Sequence, residues 1–528
     1  MIGSRVNMNY SLPVALLLWG GFGCPLVAAD CDLRLDLARA VNADSEIVFK
    51  RLVERAASCP VASVLVLNEA GAFYQKRARL NDAALLWNKA LDRARKAAPA
   101  QPALEALVLN NLGALDYTLG RYHDAELRLE RSVSLYRAAA GADPFELSKA
   151  LLNLAAALRQ QAQYRQAEQL YSECLRIRQG ILPASSPALA APLDGLARIE
   201  TAEGNLAKSE DLGRQALKAA DHSSSDHVTA ENPTELLSTL DHLAMVLSAR
   251  GKYTEAVEVA ARAKVVAAAS FAAVSREHAD VENVLAQIAR SRGNLAEAEV
   301  HSRDAVRMYE RTAGPEHPST LLATQNLAGI LGAEGKYKPA RKLLERTLAI
   351  LGKTAGPDRP EVASAVRELA ALEFGQKHYA KAADLYRRVF DTDVRLFGAR
   401  DPRTRFDLND LGSAEFARHH LREAEELFLR AIPGANGGDM RDAIIKANLA
   451  EVYQAEKRYD DAATLYRAAL AEFERGDRSE DPRLGSILAG YASLLRVTGD
   501  YAQAEKLQAR ATALQVRSAL ARDGHLAS

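Results

Sequence analysis

The sequence predicts an all-α solenoid of about eleven helix–turn–helix repeats, because one pattern recurs along most of its 528 residues. An apolar residue followed three positions later by Ala or Ser returns every 42 residues, except for one step of 47 and one of 38. Such a period is typical of stacked repeats rather than of a compact enzyme domain. We call these apolar residues the markers: Leu80, Tyr122, Tyr164, Leu206, Tyr253, Leu295, Tyr337, Tyr379, Leu421, Tyr459 and Tyr501.

A second position, nine residues before each marker, is Gly or Ala in every repeat and usually follows a Leu. Two helix backbones can approach closely only where the side chain is this small. We call it position 0 and count the other positions of a repeat from it. Its residues are Gly71, Gly113, Ala155, Ala197, Ala244, Ala286, Ala328, Ala370, Gly412, Ala450 and Ala492.

Turn and cap residues indicate the helix ends. A Gly two residues before the marker, as at Gly335, tolerates the positive φ with which a helix stops. Asp143-Pro144 places a side-chain cap before a Pro, which is how a helix begins, whereas His317-Pro318 lacks a strong cap. Each repeat is therefore predicted to contain a first helix (A), a tight turn and a second helix (B).

The two irregular steps suggest how the array is divided. The longer step contains the polar stretch 221–233, which we expect to be an exposed loop and a candidate hinge between repeats 1–4 (65–220) and repeats 5–11 (234–521). The shorter step contains 433–438, whose Gly and Pro residues would truncate a B helix. Residues 522–528 are expected to be a disordered tail.

Residues 1–29 differ from the repeats. Arg5 is the only charge before Asp30, and an apolar run is followed by small residues that end at Ala29. This predicts a secretory signal cleaved after Ala29, and hence a periplasmic or secreted protein. A retained membrane anchor is the alternative, since the charge-free stretch is long enough to span a bilayer.

Residues 30–64 precede the first repeat and are predicted to form a helical cap. Cys31 and Cys59 flank this segment. In an oxidising compartment a disulfide between them would contribute about 3–4 kcal/mol on the chain-entropy model. The alternative is two unpaired thiols.

Composition and motifs argue against several functions. The chain carries 68 basic and 68 acidic side chains, which offers no electrostatic case for binding nucleic acid or anionic lipid. It contains no His-Glu-x-x-His, phosphate-binding loop, Gly-x-Ser-x-Gly or Cys-x-x-Cys. The nearest metal-like group, in the polar loop, is expected to be solvated, because a metal site needs ligands on a rigid frame. We therefore expect no catalysis, cofactor, metal or membrane insertion of the mature chain.

The Leu-small pair, the later Ala and the markers resemble the tetratricopeptide repeat over roughly residues 65 to 521. The 42-residue step, with loops such as 313–318 and 355–360, is similar to the kinesin-light-chain subtype. The resemblance implies a right-handed superhelix whose A helices line a concave face. It also implies a protein or peptide ligand on that face.

In this family, residues just before the Leu-small pair point into the groove. Here they include a row of asparagines, similar to the asparagine ladder by which kinesin-light-chain repeats hold cargo peptides: Asn68, Asn110, Asn111, Asn153, Asn283, Asn326, Asn409 and Asn448. Side-chain selectivity would come from residues further along the same helices: Tyr117, Arg159, Arg290, Phe374, Phe416 and Arg496. The alternative is that the asparagines bridge neighbouring helices. An envelope assembly or self-association role, through the repeat ends or the convex face, is the competing function.

Overall fold

The computed structural model describes residues 33, 36–37, 40, 45–77, 79–97, 101–221, 233–354, 359–399, 401–432, 440–475 and 482–523. These residues contain 23 α-helices and no strand. They divide into two compact units, each described here by itself. The first comprises the described residues of Ser4–Ile199 with Asp211–Thr239, and the second those of Glu200–Glu210 with Leu240–Ser528.

Helix α1 (Glu46–Arg55) and a short 3-10 turn (Ala56–Ser58) precede the repeats. The A and B helices of the eleven repeats then follow in pairs: α2 (Pro60–Lys76) and α3 (Leu80–Lys96); α4 (Pro102–Thr118) and α5 (Tyr122–Ala138); α6 (Pro144–Gln160) and α7 (Tyr164–Ile181); α8 (Ala190–Ala202) and α9 (Leu206–Ala220); α10 (Pro233–Ala249) and α11 (Tyr253–Ser270); α12 (Arg276–Ser291) and α13 (Leu295–Ala313); α14 (Pro318–Ala333) and α15 (Tyr337–Thr354); α16 (Pro360–Gly375) and α17 (Tyr379–Phe397); α18 (Pro402–Ala417) and α19 (Leu421–Ala431); α20 (Met440–Ala455) and α21 (Tyr459–Arg475); α22 (Pro482–Thr498) and α23 (Tyr501–Asp523).

Every B helix begins at its marker, which confirms the predicted repeat and the all-α solenoid class. The preceding turn is also constant. The backbone N–H just before the marker donates to the carbonyl five residues earlier, as from Lys336 to Leu331 at 2.8 Å. Wherever it is described, the residue two before the marker has positive φ: 77° at Gly335, but also 64° at Lys457, where a side chain is present. These bonds end each A helix in the same way.

The small positions are where the two helices of a hairpin cross. A methyl group on Gly113 would lie 2.5 Å from Leu129 Cγ, and one on Gly71 would lie 2.5 Å from Trp87 Nε1. Trp87 and Leu129 both occupy position +16 and are fully buried. The prediction that position 0 permits close approach of the backbones is therefore supported by the packing.

Helix caps partly differ from expectation. Asp143 accepts a hydrogen bond from the Phe145 backbone N–H at 2.8 Å, as predicted. His317 was expected to be a poor cap, which is wrong: its Nδ1 accepts from the Ser319 N–H at 3.2 Å. An imidazole can take this role because a neutral ring has one free lone pair.

Several predictions fall on residues outside those described. These are the signal (1–29), Cys31, nearly all of the polar loop (222–232), the truncating stretch (433–438) and the end of the tail (524–528). Cys59 is buried and disulfide-bonded, but its pairing with Cys31 stays a prediction. Within the described ranges, no helix has the length and apolarity needed to cross a bilayer.

Replacing Lys457 by Gly is expected to stabilise the protein by about 0.5–1 kcal/mol. The left-handed backbone costs an L residue about 1–2 kcal/mol, and the extra entropy of Gly in the unfolded chain takes back part of the gain. Urea unfolding measures the change. Gly335→Ala is the matched control and should destabilise by about 1 kcal/mol, since nothing lies within 4 Å of the added methyl and only φ is strained. Equal effects of both substitutions would contradict this explanation of the turn.

Candidate functional site

All eight predicted asparagines lie on A helices, and they form four pairs between consecutive repeats. In each pair, Nδ2 of the asparagine at position −2 donates to Oδ1 of the asparagine at position −3 in the preceding repeat. The distances are 2.7 Å for Asn111 to Asn68, 2.8 Å for Asn153 to Asn110, 3.0 Å for Asn326 to Asn283 and 2.8 Å for Asn448 to Asn409. The helix-bridging alternative thus describes how these side chains are bonded.

Pairing leaves some of the amide capacity unused. An asparagine offers two N–H donors and a carbonyl oxygen, and one pair consumes one donor and one lone pair. Asn111, Asn326 and Asn448 are half-buried, whereas the other five asparagines are buried. The three half-buried amides are therefore the accessible polar groups of this face. We call positions −3, −2, +1 and +4 of the A helices, which share one helix face, the A-helix row.

The predicted selectivity residues of the first unit lie side by side. Tyr117 is buried, and its hydroxyl accepts from Gln160 Nε2 at 3.0 Å. Arg159, one residue earlier on the same helix as Gln160, is half-buried, and its guanidinium interacts with the hydroxyl of Tyr171 from helix α7. Arg159 is thus held by the protein's own tyrosines.

The selectivity residues of the second unit are more scattered. Arg290 and Glu368 meet over Gly329, where an added methyl would lie 2.6 Å from Glu368 Oε2 and 3.2 Å from Arg290 Nη1. Phe374 and Phe416 are half-buried. Arg496 is exposed on the last hairpin beside an open depression of about 520 Å³.

A buried charge network was only partly visible in the sequence. Arg367 Nη2 donates to Asp407 Oδ1 at 2.7 Å and to Asp393 Oδ2 at 2.8 Å, and both carboxylates are buried. Burial raises the pKa of Asp410 to about 6 and also raises the pKa of Asp407, although Arg367 opposes both shifts. Glu368 behaves likewise: burial raises its pKa against the opposing charge of Arg290. Desolvation is the largest cause of these shifts, and repulsion from neighbouring carboxylates adds to it at Asp407 and Asp410.

Glu415, His420 and Glu423 bring three possible metal ligands together. Their charge is already matched by protein cations. Arg418 Nη1 donates to both Glu415 oxygens at 3.0 and 2.9 Å, and Arg387 Nη2 donates to Glu423 Oε1 at 2.6 Å. This group is better explained as an ion-pair cluster that joins the A–B turn of repeat 9 to its neighbour.

The raised pKa of Asp410 predicts that ionisation of its carboxyl group lowers the free energy of unfolding. The group titrates near 3.8 when unperturbed and near 6 in the fold, so its contribution to the free energy of unfolding falls as pH rises from about 4 to 6. Asp410→Asn should therefore be more stable than the wild type by up to about 3 kcal/mol at pH 7.5, and the difference should shrink to about 1 kcal/mol at pH 4.5 and vanish near pH 3, below both pKa values. Asp384→Asn, at an exposed site on α17, is the control. A difference that does not change with pH would contradict the assignment.

Comparisons with known proteins agree with this architecture. Tetratricopeptide repeat family models match residues 146–222, 235–311, 277–353, 320–393, 361–436 and 441–515, and a second such model matches 106–146. No curated protein matches the chain significantly.

Among solved structures, a Rap protein complexed with competence and sporulation factor is 15% identical with a TM-score of 0.53, covering 74% of this chain and 99% of that one. BtubC (BKLC) from P. vanneervenii is 21% identical with a TM-score of 0.36, covering 44% and 91%. A putative kinesin light chain from Podosopora anserina is 24% identical with a TM-score of 0.31, covering 37% and 95%. The Rap likeness extends the agreement in fold to most of the chain, and with family models that match well over half of its residues, the chain belongs to the tetratricopeptide repeat family.

Proposed function

We propose that this protein is a non-enzymatic scaffold that binds an extended peptide or protein segment on a concave face formed by its A helices. Tetratricopeptide repeats are interaction modules, so a protein partner is the expected ligand class. The A-helix row carries the proposal. Amide pairs hold consecutive A helices in register, while the half-buried Asn111, Asn326 and Asn448 keep polar capacity that can bond a ligand backbone.

Side chains that differ between repeats would supply selectivity along the row. Tyr117 and Arg159 lie in the first unit, and Phe374 and Phe416 lie in the second. All four occupy position +4, one turn beyond the small position. Polar groups that recur from repeat to repeat can hydrogen-bond the backbone of a bound segment. Side chains that differ between repeats can select the side chains of that segment.

A second candidate is assembly or self-association through the last hairpin. Val497, Tyr501 and Val516 are 57, 65 and 49% exposed there, and Arg496 and Val516 line the open depression. Solenoids usually end in a polar capping surface, so exposed apolar residues at this end favour a contact with another chain. Association of this kind would not depend on the A-helix row.

We also propose export, on the signal-like residues 1–29. Protein recovered from the envelope or medium of expressing cells should have a mature N terminus at Asp30, as measured by N-terminal sequencing. Recovery of an intact N terminus from a membrane-bound chain would instead support the anchor.

Blocking the A-helix row should abolish peptide binding. Ala371 is exposed at position +1 of α16, so Ala371→Trp adds bulk to the row without entering the core. We expect peptides selected from a random 12-residue display library on the wild-type chain to bind this variant at least tenfold more weakly by fluorescence anisotropy.

The matched control is Ala380→Trp, at an exposed site on the B helix of the same repeat. It should bind the selected peptides like the wild type. Equal binding to all three proteins, or the failure of any peptide to be selected, would contradict binding on the A-helix row.

A further inference from the structure

Two repeats share an unusual arrangement in which a buried tyrosine passes beneath a glycine of the next A helix. Tyr171 occupies position +16 of repeat 3, and a methyl group on Gly195, at position −2 of repeat 4, would lie 2.4 Å from its ring. Tyr466 occupies the same position of repeat 10, and a methyl on Gly490, at position −2 of repeat 11, would lie 2.7 Å from its hydroxyl oxygen. In both cases, the tyrosine ring or its hydroxyl occupies the space that a side chain at position −2 would fill, so only glycine fits there.

In repeat 3 the protein supplies a cation to this tyrosine. The Arg159 guanidinium, from position +4, interacts with the Tyr171 hydroxyl, and it lies near Tyr117 and Asp194 as well. Burial raises the pKa of Tyr171 to about 12, and the adjacent guanidinium limits the rise. The guanidinium thus has aromatic, hydroxyl and carboxylate neighbours.

In repeat 10 the cation is missing. Position +4 holds Gln454, whose Nε2 reaches Ser493 Oγ at 3.4 Å. Tyr466 is only 1% exposed, and its hydroxyl oxygen has no hydrogen-bond partner among the described residues. A buried hydroxyl without a partner costs about 1–3 kcal/mol, so a donor that reached it after movement of the covering side chains would recover that cost.

The surroundings of Tyr466 match those of Tyr171 only in part, because Tyr491 stacks on its ring with the centroids 5.5 Å apart, where repeat 4 has Leu196. Phe416 stands at position +4 of repeat 9, where Tyr117 stands in repeat 2. Asp194 has Ala489 as its counterpart, but a carboxylate returns at Glu451, close enough to Tyr466 to raise the pKa of the phenol further after burial. The Glu451 side chain is exposed and makes no ion pair within the described residues, and partial loss of hydration raises its pKa.

We propose that the A-helix row at repeats 9–11 binds an arginine side chain of the ligand segment, with its guanidinium between the Tyr466 hydroxyl and the Glu451 carboxylate. The ligand supplies there the group that Arg159 supplies in repeat 3. This inference rests on the proposed function, because the arginine belongs to the segment that the scaffold binds.

Arginine fits this site better than lysine. Its planar guanidinium has five donors, so it can bond a hydroxyl and a carboxylate together while one face packs on an aromatic ring such as Phe416. A lysine ammonium is a compact point charge that is more strongly hydrated and therefore costs more to bring into a partly buried site.

The test uses the full chain and 12-residue peptides selected on it from a random display library. The selected peptides should be enriched in arginine. Replacing that arginine by citrulline, a neutral isostere, should weaken binding to the wild type at least tenfold by fluorescence anisotropy. In Glu451→Gln the same replacement should matter less than threefold, and Tyr466→Phe should weaken binding of the arginine peptide several-fold.

Glu426→Gln, at an exposed carboxylate on helix α19, is the matched control and should leave the citrulline effect unchanged. Peptides that bind and are blocked by Ala371→Trp but show no arginine enrichment, or prefer lysine, would overturn this inference and leave the proposed function standing. A citrulline effect that persists in Glu451→Gln would also overturn it. Selection of no peptide at all would contradict the proposed function and this inference with it.

Discussion

The hydrogen bond between asparagines of consecutive A helices is the interaction on which the candidate site depends. Asn110 and Asn153 illustrate it: both side chains are buried, and an unpaired buried amide would cost about 1–3 kcal/mol. The bond joins position −3 of one repeat to position −2 of the next, so it favours one register between the helices. The close backbone crossings at position 0, as at Gly113 against Leu129, position these helices so that the amides can meet.

Some junctions between repeats lack the asparagine pair, and other residues occupy positions −3 and −2 there. At the junction of repeats 8 and 9, the corresponding positions hold Arg367 and Asp410, and buried carboxylates from Asp393 and Asp407 surround the guanidinium. At repeats 10 and 11, Gly490 replaces the asparagine and admits the hydroxyl of Tyr466 to the row. These departures place ion-paired carboxylates and a tyrosine hydroxyl, unpartnered within the described chain, in the interior of the second unit.

Periodicity in the sequence was sufficient to predict the hairpins but not their side-chain bonds. A marker such as Tyr459 is the first residue of its helix because the preceding turn repeats the same backbone geometry. The spacing also placed all eight asparagines on A helices. It could not show that they bond one another, because an amide at a given helical position can turn to a neighbouring helix or to a ligand at similar cost.

Other features of the structure could not be predicted from the sequence, for related reasons. His317 looked like a poor cap because the ability of imidazole to accept a hydrogen bond depends on its tautomer and orientation. The raised pKa of Asp410 and the missing partner of Tyr466 arise from burial among residues distant in sequence, which a repeat pattern does not encode. A signal was nevertheless present, since both glycines at position −2, Gly195 and Gly490, follow a repeat with a tyrosine at position +16, although Tyr386 of repeat 8 is followed by Asp410.

A double-mutant cycle on Asn110 and Asn153 tests most directly whether these amides form the frame of the A-helix row. The free energy of unfolding would be measured by urea denaturation for the wild type, Asn110→Ala, Asn153→Ala and the double variant. The amide pair predicts a coupling of about 1 kcal/mol, with the second substitution costing less once the first has removed its partner. Strictly additive losses would contradict the account, because they would mean that the two side chains contribute to stability independently.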